Sequence, residues 1–282
     1  MNIAYVTDSG TGISMEAQAK DGILSLPLQI TDGTSTWQDM ETLDKNDCIH
    51  LLEQGKVLKT SQPSPGLMEE MFSSLKVNGT DMVIAVPICP GLSGTSQTLS
   101  MMAEEAGLPL LTINTYTTCV IQDYLIHRIK EMIEEGVPDL ERNVRIQACV
   151  DSCETIVVPK DLKHLARGGR LTPGAAHLAQ LLRIVPILHL NKETNGKIDV
   201  YDKVLSTRRA YSRIIGHMQE KPIDSSWHIA IAHTNAIDAA QEMYHRVQEA
   251  FPDAETEIIE LCNVVSAQAG LGCLALEYFR KI

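Results

Sequence analysis

The sequence predicts an α/β protein whose first half is built on parallel sheet, and three observations predict it. Short runs rich in Val, Ile and Leu alternate with longer stretches of helical period, the pattern in which parallel strands are joined through helices. The style changes past the middle, where two strand-like runs flank Asn195-Gly196, a strong hairpin signal. The chain has 282 residues, more than a usual single domain, and 44% of them belong to the AVILMFWYC set. That is enough for a sizeable core, in a two-lobed body or in two compact domains.

The elements follow in order. Ile3 to Val6 is a strand that ends in Thr7-Asp8-Ser9-Gly10, and Leu24 to Ile30 is the next. Thr31 to Thr42 is rich in Thr, Ser and Asp and reads as a surface loop. Ile49 and Leu52 mark a helix; Leu67, Met71 and Leu75 mark another, entered through Pro63 and Pro65. The strand Met82 to Val86 runs into Cys89-Pro90-Gly91-Leu92-Ser93-Gly94-Thr95-Ser96-Gln97, a glycine loop that opens a helix. Leu108 to Ile113 is a strand, Val120, Tyr124, Ile129 and Ile133 share a helix face, and Thr155 to Val158 is a strand.

A domain boundary is expected at residue 157, giving domains 1–157 and 158–282, because Pro159-Lys160-Asp161 starts a new helix. That helix stops at Gly168-Gly169. The hairpin of Ile184 to Leu190 and Ile198 to Val204 follows. After it come a helix through Ile214 and Met218, the strand His228 to Ala232, a helix through Ala239, Met243 and Val247, and the strand Thr256 to Leu261. Gln268-Ala269-Gly270-Leu271-Gly272 is expected to open a last helix.

Composition excludes several classes. The net charge is −12 and no stretch concentrates Lys and Arg, so a nucleic-acid partner is not expected. No basic segment precedes a long apolar run and no window reaches about 18 apolar residues, so a cytoplasmic protein without membrane insertion is expected. Seven Cys scattered through apolar surroundings suit reduced core thiols, and the Cys149/Cys153 pair has no second ligand pair, so no metal is expected.

Six segments invite a chemical reading. Val6-Thr7-Asp8-Ser9 sits where α/β proteins place ligand contacts, although Asp and Ser also cap helices. Lys59-Thr60-Ser61-Gln62-Pro63-Ser64 sets two hydroxyls and an amide beside a helix start, a setting that suits a small anion as well as capping. Ser93 lies in a G-x-S-x-G-like loop, but Thr95 stands where the second Gly belongs; Gly91 and Gly94 allow close backbone approach while Ser93 donates to a ligand oxygen. Arg170 follows the Gly-Gly stop, and His233-Thr234-Asn235 ends a strand. Gln268 to Gly272 makes a poor dinucleotide fingerprint, since no second strand or ribose-binding acid follows.

Taken in order, V-T-D-S, K-T-S-Q-P-S, S-G-T-x-Q, L-x-x-L-x-x-G-G-R, A-H-T-N and the C-terminal G-x-G resemble the DegV family over nearly the whole chain. The resemblance implies a two-lobed fold, a parallel-sheet N-terminal α/β domain and a mixed α/β sandwich C-terminal domain, with a lipid pocket between them. It also implies a carrier, not an enzyme. A long-chain fatty acid would be held in a buried tunnel and presented to a separate ATP-binding fatty acid kinase subunit, returned as acyl phosphate and passed to phospholipid synthesis.

Carried over by residue, Thr60 or Ser61, Ser93, Gly94 and Thr95 would hold the carboxyl, and Arg170 would face the kinase. Gln268 stands where the family often has His; it can donate a hydrogen bond but cannot become cationic. No catalytic residue, no metal and no cofactor beyond the bound lipid is implied, and a monomer is expected. Leu24, Leu26, Leu28, Ile30, the run Leu178 to Leu190 and 11 Met could line a tunnel. Two alternatives remain: a serine-dependent acyl hydrolase with Ser93 as nucleophile and His233 as base, and a lipid-sensing regulatory protein.

Overall fold

The computed structural model describes residues 1–180 and 184–282. The chain divides into two compact units, one of Met1–Asn143 with Cys262–Ala267 and one of Val144–Leu261 with Gln268–Ile282. This division differs from the boundary expected at residue 157. Val157 lies inside a strand whose neighbours on both sides belong to the second unit, so a cut there would open a sheet. The hairpin signal marked a change of style correctly, but the crossover into the new sheet comes a helix earlier.

The first unit contains strands β1 (Ile3–Asp8), β2 (Ile23–Leu26), β3 (Gln29–Thr31), β4 (Thr36–Gln38), β5 (Lys59–Ser61), β6 (Met82–Val86) and β7 (Leu110–Thr112). Helices α1 (Met15–Lys20), α2 (Lys45–Glu53), α3 (Pro65–Val77), α4 (Thr95–Ala106) and α5 (Val120–Glu134) connect them. Helix α6 (Asp139–Ser152) leads out of the unit. Four strands form a fully parallel sheet in the order β2-β1-β6-β7, with Tyr5 beside Ile23 on one side and Ile84 on the other. Val6, Val83 and Ala85 pack under Met68, Phe72, Leu99 and Ala103 of α3 and α4, which is why those helices carry their apolar residues at i, i+4 spacing.

Two sequence expectations change here. Leu24 to Ile30 is not one strand: β2 joins the parallel sheet, whereas β3 turns away into a separate antiparallel sheet of order β4-β3-β5. The polar stretch Thr31 to Thr42 is not all surface loop, since it supplies β4 and the fully buried Asp39.

The second unit holds β8 (Glu154–Val158), α7 (Leu162–Arg167), α8 (Pro173–Leu178), β9 (Val185–Asn191), β10 (Asp199–Val204), α9 (Thr207–Met218), β11 (Trp227–His233), α10 (Ile237–Ala250), β12 (Glu255–Glu260) and β13 (Leu274–Arg280). Helix α11 (Asn263–Ala269) precedes β13. Six strands form a mixed sheet in the order β10-β9-β8-β13-β11-β12, in which only β11 and β12 are parallel. The expected hairpin is present: β9 and β10 pair antiparallel, and Asn195 and Gly196 both take positive φ (54° and 70°) in the turn between them. The expected last helix is a correction. Gln268 and Ala269 end α11, Gly270 and Gly272 adopt left-handed φ of 78° and 77°, and the chain leaves as β13. Left-handed glycines stop a helix rather than start one.

Among the described residues no helix is long and apolar enough to cross a membrane. The part of the apolar run Leu178 to Leu190 that spans 181–183 lies outside the described residues.

Candidate functional site

In a parallel sheet of order β2-β1-β6-β7 the chain leaves β1 toward one side and later returns on the other, so the carboxyl ends of β1 and β6 flank a switch point where open α/β sheets bind ligands. The V-T-D-S segment and the Ser93 loop both emerge there.

Asp8 ends β1 and ties this corner together. Its carboxylate accepts hydrogen bonds from Gly10 N (2.9 Å), Ile88 N (2.9 Å) and Gln122 Nε2 (2.8 Å), so it joins β1, the end of β6 and α5. Burial pushes its pKa up to about 6 against the pull of those donors. Ser9 Oγ donates to Asp39 Oδ2 (2.7 Å) and accepts from Leu28 N (3.0 Å). Asp39 is fully buried and pushed up to about 7 by burial.

Asp39 therefore binds its proton more tightly when folded, and its favourable contribution, complete below pH 4, is lost as pH rises through about 7. The shift from 3.8 to about 7 corresponds to on the order of 4 kcal/mol. In thermal melts between pH 5 and 8, wild type is expected to lose stability with rising pH and Asp39→Asn to show a clearly flatter profile. Equal slopes would show that Asp39 does not titrate in this window.

The Ser93 loop meets the Thr60 segment in the same unit. Leu92 N and Ser93 N both donate to Cys89 O, which folds the loop tightly and leaves Gly94 as the N-cap of α4. Ser93 Oγ and Thr95 Oγ1 share a 2.8 Å hydrogen bond, and Thr95 N donates to Ser93 Oγ (3.3 Å). Gln62 Oε1 accepts from Thr98 Oγ1 (2.9 Å) and lies so near Gly94 that a Cβ there would be 3.1 Å from it. A glycine at 94 keeps the helix start open to Gln62.

Thr60 and Ser61 are adjacent in β5, so their side chains leave opposite faces of the strand. Ser61 is exposed and its Oγ donates to Gln29 Oε1 (3.2 Å), whereas Thr60 is half-buried. Of the two hydroxyls, Thr60 is the better head-group candidate.

In the second unit three other motifs converge. Asp161 caps α7 by accepting from Lys163 N and His164 N (2.9 and 3.1 Å). Gly168, at the end of that helix, has the Gln268 amide directly over it, and Gly270 has the His164 ring where a Cβ would stand (2.9 Å). Gly272 N donates to Thr234 O (2.8 Å), and Thr234 N donates to Cys273 O (3.0 Å). Arg170 Nη1 donates to Gly168 O (2.5 Å) and the residue is half-buried. Beside these motifs lies a cavity of about 750 Å³, walled by Val158, Leu162, Leu178, Ile184, Val185, Tyr211 and Leu274, with Lys160, Lys163 and Asn235 among its polar residues. Its volume falls in the 300–1,000 Å³ range of small-molecule sites, and polar side chains, Asp161, Thr207 and Asp238 among them, line it alongside the apolar ones.

His233 ends β11, is buried, and has its pKa lowered by that burial. Its Nδ1 accepts from Ala236 N (3.3 Å). All seven cysteines are buried. Among the described residues no group of three or more His, Cys, Asp or Glu is arranged to hold a metal ion.

Sequence reading missed Asp39, Gln62, Gln122 and the buried Glu154. Gln62 stood in a quoted motif between more obvious hydroxyls. Asp39 sat in a polar stretch, and Gln122 and Glu154 break no local pattern, so nothing in their neighbourhoods signals burial.

The sequence model of the DegV family, described as "Uncharacterised protein, DegV family", matches residues 2–281. The chain belongs to the DegV family. DegV structures superimpose on it throughout. The fatty acid binding DegV family protein SAG1342 from Streptococcus agalactiae is 28% identical, with a TM-score of 0.88 and both chains covered completely. DegV from Bacillus subtilis, a fatty acid binding protein, is 25% identical, with a TM-score of 0.86 and complete coverage of both chains. Among curated relatives, the DegV domain-containing protein spr1415 of Streptococcus pneumoniae is 26% identical over 284 residues, covering both chains completely. The predicted fold class, a parallel-sheet α/β N-terminal part and a mixed-sheet C-terminal part, is the one these DegV structures share.

Proposed function

We propose that this DegV protein is a cytoplasmic, monomeric carrier that binds a long-chain fatty acid and presents its carboxyl group to a separate ATP-binding kinase subunit. The acyl phosphate so formed then enters phospholipid synthesis. The observation that carries the lipid reading is the full-length likeness to SAG1342, a fatty acid binding protein. The second unit also holds a cavity of about 750 Å³, lined by polar and apolar side chains alike, with the volume of a small-molecule site.

The carboxyl is assigned to Thr60, Ser93, Gly94 and Thr95, with Ser61 at their edge. Ser93 and Thr95 supply neutral hydroxyls at the start of a twelve-residue helix, a setting that complements a carboxylate without a full positive charge. Arg170 is assigned to the kinase contact. The energetics divide the work: a methylene contributes about 0.8 kcal/mol on burial, so roughly fourteen contribute on the order of 11 kcal/mol before ordering costs. One neutral hydrogen bond nets only about 0.5–1.5 kcal/mol. The tail supplies affinity and the head sets orientation.

Ser93→Ala is therefore expected to weaken fatty acid binding about 2- to 12-fold with no change in fold, as measured by titration with a labelled fatty acid. A hydrolase would instead release a burst of product from an activated ester and lose it in Ser93→Ala. A carrier shows no burst in either protein. Retention of an ATP-binding kinase on the immobilised carrier would separate the kinase role from a purely sensory one.

A further inference from the structure

We infer that Cys119 and Cys262 form a reversible dithiol that a hydroperoxide oxidises to an intramolecular disulfide. Their Sγ atoms lie 4.0 Å apart inside the first unit, although the residues are separated by about half of the chain. A disulfide needs about 2.05 Å between sulfurs, so the remaining approach is about 2 Å, within reach of side-chain rotation.

The backbone around the pair is arranged to hold it. Cys119 is the N-cap of the fifteen-residue helix α5, yet it has φ 64° and ψ −119°, a conformation that L side chains rarely adopt. Its N–H donates to Gly10 O (3.2 Å). On the other side, a Cβ on Gly12 would stand 3.3 Å from Cys262 Cβ, so the turn after β1 touches both cysteines. Cys262 directly precedes α11, whose first residue is anchored in the same unit: Asn263 Nδ2 donates to Leu43 O (3.0 Å). Neither cysteine is free to drift away from the other.

Other thiols are poorer candidates. Burial pushes Cys48, Cys149 and Cys273 up to about 12, which keeps them protonated and unreactive. Cys119 is the more exposed member of the pair, 8% against 2%, and so meets the oxidant first. Its sulfur attacks the peroxide, the O–O bond breaks, and a sulfenic acid and an alcohol (water, for hydrogen peroxide) result. Cys262 Sγ then displaces the sulfenic hydroxyl, which leaves as water with the thiol proton, and the S–S bond forms. In sum, two thiols lose two electrons and two protons, and one peroxide is reduced. The product ties the start of α11 to the start of α5 and braces the turn that follows Asp8.

The test treats the full chain with hydrogen peroxide, quenches, denatures and titrates free thiols. Two of the seven thiols should disappear and return with dithiothreitol. Cys119→Ser should abolish that loss, Cys262→Ser should reduce it to at most the one thiol held as a sulfenic acid with no disulfide formed, and Cys48→Ser should leave it unchanged. Differential alkylation of the wild type with tandem mass spectrometry repeats the test without a substitution, by asking which cysteines become protected. No thiol loss, or protection of a pair other than Cys119 and Cys262, overturns the inference.

Discussion

Glu154→Ala is expected to lower the unfolding free energy by about 3–5 kcal/mol, the range for removing one partner of a buried ionic network. Glu154 is 2% exposed at the start of β8. Its Oε1 meets His189 Nδ1 (2.9 Å) and Asn191 Nδ2 (3.1 Å), while Oε2 meets His217 Nε2 (2.9 Å) and the Tyr278 hydroxyl (2.5 Å). Lys221 Nζ lies 3.7 Å from the same oxygen. One carboxylate thus joins β8, β9, β13 and α9.

Burial alone would raise this carboxyl's pKa; the hydrogen bonds from His189, His217 and Tyr278 outweigh it and hold Glu154 well below the usual carboxylate range. With a depressed folded pKa, the stabilisation is present above about pH 4.5 and is lost as pH falls below it. Denaturant unfolding at pH 7 should show the full cost of Glu154→Ala, and the gap to wild type should narrow in acid. An unchanged midpoint at pH 7 would mean that the network contributes nothing.

Arg170→Ala is expected to leave the bound lipid in place and to cut kinase-dependent acyl phosphate formation about 30-fold or more, the effect of removing a charged partner at a docking interface. Arg170 also closes the turn after α7 through Gly168 O, so a purely structural role is a real alternative. Lipid content and melting temperature separate the two. A variant with normal lipid, normal melting and normal acyl phosphate formation would remove Arg170 from the kinase contact.

The sequence made the alternating strands and helices legible because parallel strands buried on both faces read as continuous apolar runs, as in Met82 to Val86. It also marked the β9–β10 turn, because Asn195-Gly196 suits a left-handed pair. The course of β2 and β3 was not legible, since Leu24, Leu26, Leu28 and Ile30 keep one apolar alternation across Pro27 while the two halves join different sheets. Gly270 and Gly272 misled in the opposite direction: Gly residues serve helix stops and phosphate loops alike, and only their backbone angles separate the two.

Within the candidate site, hydroxyl-rich motifs stood out because Ser and Thr cluster with Gly and Pro at helix starts, where they serve capping and anion binding alike. What joins those motifs did not stand out. Gln62 over Gly94, Gln268 over Gly168 and Asp8 against Gln122 are long-range pairings set by tertiary packing.

Mass spectrometry of the freshly purified protein tests the central claim most directly. Under native conditions the mass should exceed that of the chain by one fatty acid, and denaturation should release it as an intact long-chain acid. A native mass equal to that of the bare chain, together with no saturable uptake of added fatty acid, would contradict the account.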